Sequence, residues 1–309
     1  MSLHAEDLLI TTPQKVRLLG PLSLRLEAGV RAGLMGESGS GKSMLGRALM
    51  GVLPRGLDVA AKSLTLFGQP WGQSSDPMWQ RLAWVPQEPL QALHPFLTVE
   101  EHLALLPRAC LGESGARARA RLLPMLERMR LPMDPGFMGK YPRQMSGGQR
   151  QRLVLALALG CEPEFLILDE PTTALDASHG QDVLGLIEEL HRERGLGYLW
   201  ISHDLDLIAS ASEQLLVLYG GVMLEAGPTA RVLDQPRSPY TARLLSAARG
   251  EPSNESGFLS APALRPAGCP FQARCPACLP ACGGWSGWRG TLEDGFRCEN
   301  PLPEIALQV

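Results

Sequence analysis

The octapeptide GESGSGKS, Gly36 to Ser43, constrains this chain more than any other stretch. Glycines at 36, 39 and 41 can take backbone angles that residues with a Cβ avoid, so the segment can curl with its N–H groups facing one point. Before it, VRAGLM reads as a short buried strand; after it, SMLGRALMGVL spaces its apolar residues as a helix does. Strand, glycine-rich loop and helix in that order are the setting that the P-loop pattern G-x-x-x-x-G-K-[ST] requires. Gly36, Glu37, Ser38, Gly39, Ser40 and Gly41 then form a cradle for a phosphate chain at the positive end of the helix. Lys42 reaches the β- and γ-phosphates, and the Ser43 hydroxyl ligates Mg²⁺. The fold class that follows is α/β, with a largely parallel sheet.

A second stretch complements the first. FLILDEP, Phe165 to Pro171, is an apolar strand ending in two carboxylates. Asp169, at the strand end, can hold the hydration shell of the metal, and Glu170 is placed to polarise an attacking water. Between the two stretches lies MSGGQRQR, Met145 to Arg152, whose serine and paired glycines make another backbone anion site at a helix N-terminus.

These motifs resemble those of ABC-type ATPases: Gln87 in WVPQEP matches the Q-loop, MSGGQ the signature, TALD (Thr173 to Asp176) the D-loop and WISHD the switch histidine, His203. The resemblance implies a RecA-like core sheet with a helical subdomain, a site that takes ATP and Mg²⁺, and hydrolysis in which Gln87 and Asp169 complete the metal site. Glu170 would serve as the base on water, and His203 would contact the γ-phosphate. Ser146, Gly147, Gly148, Gln149 and Asp176 would serve a nucleotide held by a partner chain, because in this family one chain's signature closes on the other's P-loop. A second, different ABC ATPase subunit is the partner this implies, giving a heterodimer. Two positions depart from the pattern. Met145 replaces a leucine, a near volume-conserving swap. The aromatic that usually stacks on adenine upstream of the P-loop is missing, since the first aromatic is Phe67, and ITTPQKVRLLG offers aliphatic or basic cover instead.

Composition narrows the class further. A net charge of −3 leaves no basic surplus to neutralise a phosphate backbone, so no nucleic-acid partner is expected. No apolar run approaches the roughly 20 residues needed to cross a bilayer, LVLALALG (Leu153 to Gly160) being far too short, and the N-terminus does not read as a secretory signal. A cytoplasmic setting follows, where clustered cysteines read as metal or redox centres. VEEHLALLPRAC and ARARARLLPMLERMR read as helices, the second with an apolar face and an arginine-rich, solvated one. They belong to a helical subdomain over about 88–158 within an ATPase domain of residues 1–240.

Beyond that domain, the segment from Val222 to Ala248, with its Pro-Tyr-Thr, and QEPLQALHPFLTV after the Q-loop are similar to the dipeptide, oligopeptide and nickel importer branch of the family. That resemblance implies two integral permease subunits, an extracytoplasmic substrate-binding protein, and a peripheral position on the cytoplasmic face of the inner membrane. A helix and a Pro/Gly/Ser-rich linker fill residues 241–268, and a cysteine-rich extension fills 269–309. Five of seven cysteines lie there, and Cys269, Cys275, Cys282 and Cys298 follow C-x5-C-x6-C-x15-C. Four thiolates suit zinc or iron–sulfur equally. CPFQARCP resembles the tail of this branch, which implies a [4Fe-4S] cluster and leaves Cys278 as a non-ligand. Three other readings stand beside a peptide importer: an importer of nickel or metal chelates, a soluble ABC ATPase of nucleic-acid repair or translation, and a metal-sensing regulator.

Overall fold

The computed structural model describes residues 3–71, 81–112, 115–172, 177–251, 268–284 and 287–303. The chain gathers into two compact units, Met1–Gln73 with Trp200–Val309, and Ser74–Leu199. The cysteine-rich tail therefore falls in the same unit as the P-loop, a different division from residues 1–240, 241–268 and 269–309.

The first unit holds an antiparallel sheet of β1 (Leu3–Thr11), β2 (Arg17–Leu26), β4 (Asp58–Ala60), β5 (Ser63–Leu66) and β6 (Gln69–Pro70), in the order β2-β1-β5-β6 with β4 also on β1. Leu3, Ala5, Leu8 and Ile10 of β1 are all buried, as are Leu22, Leu24 and Leu26 of β2. The register slips between Ala5 and Leu8, and that irregularity moves the buried set from odd to even positions.

The same unit contains the P-loop strand β3 (Arg31–Met35), which pairs in parallel with β10 (Gln214–Tyr219). Antiparallel to β10 runs β11 (Val222–Pro228), whose outer edge takes the two-residue strand β13 (Gly295–Phe296) of the tail, itself hairpinned with β12 (Arg289–Gly290). Its helices are α1 (Lys42–Met50), α7 (Leu205–Ala211), α8 (Thr229–Asp234) and α9 (Pro239–Ala248).

In the second unit β7 (Leu82–Val85) pairs in parallel with β8 (Phe165–Asp169), and β9 (Gly197–Ile201) runs beside β8 and carries the chain back into the first unit. Every residue of β8 and β9 is buried, the composition a strand covered on both faces demands. Around them stand α2 (Val99–Leu111), α3 (Ala116–Arg128), α4 (Pro135–Met138), α5 (Gly147–Gly160) and α6 (Ala177–Arg194). Helix α2 starts on a capping box, Thr98 with Glu101. Helix α3 buries Leu122 and Leu126, while Arg119 pairs with Glu100, Arg121 with Glu162 at 2.8 Å and Arg128 with Glu189. The arginine-rich face is thus matched by acids of its own unit.

Candidate functional site

Four buried residues, Ala32 to Met35, anchor the strand that leads into the loop. The loop then turns on Gly39 (φ +76°) and Gly41 (φ +103°), angles at which a Cβ is penalised. At Gly41 an added Cβ would also lie 2.9 Å from a terminal methyl of Leu19, which would have to shift. Gly41 is the N-cap of α1; it supplies no side-chain cap, and the first turn contains no acid. The N-cap residue thus offers no side chain to the leading N–H groups of that helix, an arrangement suited to an anion.

Lys42 lies across this opening, its Nζ donating to the carbonyls of Gly36 at 2.8 Å and Glu37 at 3.0 Å. Glu37 itself is held on two sides. Its N–H donates to the Tyr240 hydroxyl at 3.0 Å, and its carboxylate takes both branches of the Arg274 guanidinium, at 2.7 and 2.9 Å. Among the loop residues read as phosphate-binding, Glu37 therefore spends its groups on the protein. The Ser202 N–H donates to Leu34 of β3, which sets exposed His203 beside the end of the P-loop strand.

Strand register assembles the second group of residues. Val85 of β7 stands opposite Leu168 of β8, and both strands run the same way. Two residues beyond each, Gln87 and Glu170 emerge on one edge and meet, the Gln87 amide donating to the Glu170 carboxylate at 3.1 Å. Asp169 is buried at the end of β8, whereas Glu170 turns out of the strand at φ +48° and is half-buried. The two adjacent carboxylates thus differ in burial and in backbone conformation. Ser146 caps α5, accepting from the Gln149 N–H at 3.2 Å while the Gln149 side chain accepts from the Ser146 N–H at 3.0 Å, and Gly147 and Gly148 form the first helical turn. Asp176, in the D-loop, lies outside the described residues.

In the tail, Cys269, Cys275, Cys282 and Cys298 line one cavity of about 20 Å³ together with Phe271. Cys278 is exposed and lines no part of it. The loop closes on itself through the Cys269 N–H, which donates to the Cys282 carbonyl at 2.9 Å. Burial pushes the thiols of Cys269, Cys275 and Cys298 up, that of Cys298 to about 11, so each stays protonated until a cation favours the thiolate. Among the described residues no three or more His, Cys, Asp or Glu side chains are grouped so as to hold a metal ion.

Two family models match the chain: "ABC transporter" over residues 19–173 and "Oligopeptide/dipeptide transporter, C-terminal region" over residues 224–282. The oligopeptide transport ATP-binding protein OppD of Salmonella typhimurium is 36% identical over 91% of this chain and 88% of its own length. The probable D,D-dipeptide transport ATP-binding protein DdpD of Escherichia coli is 37% identical over 94% and 92%. Among solved structures, the dimeric ATP-binding cassette MJ0796 bound to ADP and Pi superposes with a TM-score of 0.63 at 26% identity, over 74% of this chain and 99% of that one.

Proposed function

The chain belongs to the ABC transporter family of ATP-binding proteins, and on that premise we propose that it is the ATP-hydrolysing subunit of an importer for oligopeptides or dipeptides. Its work is to bind and hydrolyse ATP and to pass the resulting closure to permease subunits, which receive cargo from a substrate-binding protein. Among the described residues no helix is long and apolar enough to cross a membrane, which fits a peripheral subunit on the cytoplasmic side.

The observation that carries the hydrolytic reading is the meeting of Gln87 and Glu170 at the ends of two parallel strands. Phosphoryl transfer rests mainly on positioning and charge stabilisation, so a register that brings these groups together is what the reaction needs. Gly36 to Ser43 hold the phosphates, with Lys42 leaving its two carbonyls to meet them. Ser43, Gln87 and Asp169 would hold Mg²⁺, which would supply neutralisation of phosphate charge. Glu170 takes the proton of the attacking water, and His203 orients the γ-phosphate. Ser146, Gly147, Gly148, Gln149 and Asp176 face the nucleotide of a second ABC ATPase subunit, and residues 88–158 form the helical subdomain that carries the signature.

For the tail, we propose a [4Fe-4S] cluster on Cys269, Cys275, Cys282 and Cys298. What supports this ligand set is that the four thiols line one common cavity while Cys278 stands outside it. Such a cluster would supply four thiolate bonds that tie the tail together.

Reconstitution with partner permease subunits and a substrate-binding protein tests the transport reading. Peptide added with the binding protein should raise ATP hydrolysis, and Lys42→Ala should abolish it. Stimulation by a nickel chelate in place of peptides would overturn the peptide assignment.

A further inference from the structure

The tail carries more than cysteines. Arg274, next to Cys275, reaches the nucleotide loop and forms a two-pronged ion pair with Glu37, at 2.7 and 2.9 Å. Neither side chain is well solvated, at 18% and 29% exposure for Arg274 and Glu37, so the pair is stronger than a surface contact. Arg274 also donates to the Tyr219 hydroxyl at 3.2 Å, and its guanidinium lies 5.7 Å from the ring centres of both Tyr219 and Phe271. These two rings and that of Tyr240 form a buried triad with centres 4.5 to 5.3 Å apart. Tyr240 completes the grip by accepting the Glu37 N–H.

We propose that Arg274 is a positioning residue of the nucleotide site: through Glu37, the folded four-cysteine tail sets the affinity of Gly36–Ser43 for a nucleoside triphosphate. The inference rests on the reading of that loop as the ATP site. Glu37 is part of the loop itself, so fixing its N–H and its carboxylate fixes the path of the backbone that curls around the phosphates. Phe271 and Arg274 both lie between Cys269 and Cys275, within the loop that the Cys269–Cys282 hydrogen bond closes. When the tail opens, Glu37 loses its ion pair and the loop gains freedom that a bound nucleotide must then remove. Linkage requires the reverse effect: nucleotide that orders the loop must stabilise the tail.

The test measures dissociation constants of a fluorescent ATP analogue with Mg²⁺ on the full chain, for the wild type, Arg274→Gln, Glu37→Gln, the double variant and Arg274→Lys. Each single glutamine variant should weaken binding about tenfold, the double variant no more than the worse single one, and Arg274→Lys should recover part of the loss. In the assembled transporter the loss should appear in KM, with kcat nearly unchanged. Hydrogen exchange over residues 268–284 should slow when ATP binds the wild type and not when it binds Arg274→Gln. Unchanged affinity in both single variants, additive losses in the double variant, or exchange indifferent to nucleotide in the wild type would each overturn the proposal. Glu37→Gln alters no tail residue, so the comparison survives if Arg274→Gln folds poorly. Lys42→Ala separates the two readings: retained binding there refutes the nucleotide loop itself, whereas loss there beside normal binding in Arg274→Gln refutes only the clamp.

Discussion

Replacing Glu170 by glutamine removes a proton acceptor while leaving the shape of its site. The Gln87 amide that donates to Glu170 at 3.1 Å finds a carbonyl oxygen in the variant, and glutamine tolerates the φ of +48° no worse than glutamate does. Folding and ATP binding should therefore be unchanged, and the loss should fall on the chemical step. A positioned general base is worth about 10²- to 10⁴-fold, which corresponds to about 3–5 kcal/mol of barrier. Alanine at the same position also removes the acceptor that orders the exposed Gln87 side chain, so Glu170→Ala should lose nucleotide-site order as well as rate. The assay is phosphate release from the assembled transporter, run beside filter binding of ATP. Turnover within about tenfold of wild type would remove Glu170 from the reaction. Loss of ATP binding equal to the loss of rate would show that the carboxylate holds the nucleotide instead.

Three further outcomes follow from the same geometry. Protein prepared without oxygen should be brown and contain about four irons per chain; serine at Cys269, Cys275, Cys282 or Cys298 should remove them and Cys278→Ser should keep them, with stoichiometric zinc and no iron refuting the cluster. The isolated chain should hydrolyse ATP slowly and with a rate per chain that rises with concentration or with its partner subunit; full, concentration-independent activity would contradict a shared site. Glu225 is fully buried and accepts from Arg231 and from the N–H groups of Arg237 and Ser238 at 2.9 Å each. Glu225→Ala should cost about 3–5 kcal/mol in urea unfolding, because it takes the acceptor from the N–H groups of Arg237 and Ser238 and leaves Arg231 with Asp294 as its carboxylate partner, and a loss below about 1 kcal/mol would show that the network contributes little.

What was legible in the sequence is what short segments determine. The P-loop strand, α1, the β8 strand with its two carboxylates and the α2 and α3 helices each announce themselves within a dozen residues. The meeting of Gln87 with Glu170 was not foreseen: the family resemblance placed Gln87 with Asp169 at the metal, and strand register is set by pairing that no local pattern states. The N-terminal antiparallel sheet went unread: the register slip between Ala5 and Leu8 breaks the alternation that marks a strand. The Glu37–Arg274 pair was out of reach altogether. Its members stand 237 positions apart, and either looks like an ordinary surface charge in isolation. The aromatic triad beneath it is equally silent, because Tyr219, Tyr240 and Phe271 come from three separate elements.

The short hairpin of β12 and β13 has a consequence for how this chain can be shortened. It pairs with β11 at Glu225 and Ala226, and the Arg297 N–H donates to the Leu224 carbonyl at 2.8 Å, so the tail occupies the outer edge of a strand whose residues from Val222 to Gly227 are all buried. A chain ended in the linker would bare that row of hydrogen-bonding groups on an apolar ribbon, the kind of edge that recruits a neighbour's strand and leads to aggregates. The tail is thus a shield against self-association as well as a metal-binding candidate, and a soluble minimal cassette has to keep the hairpin even if it gives up every cysteine.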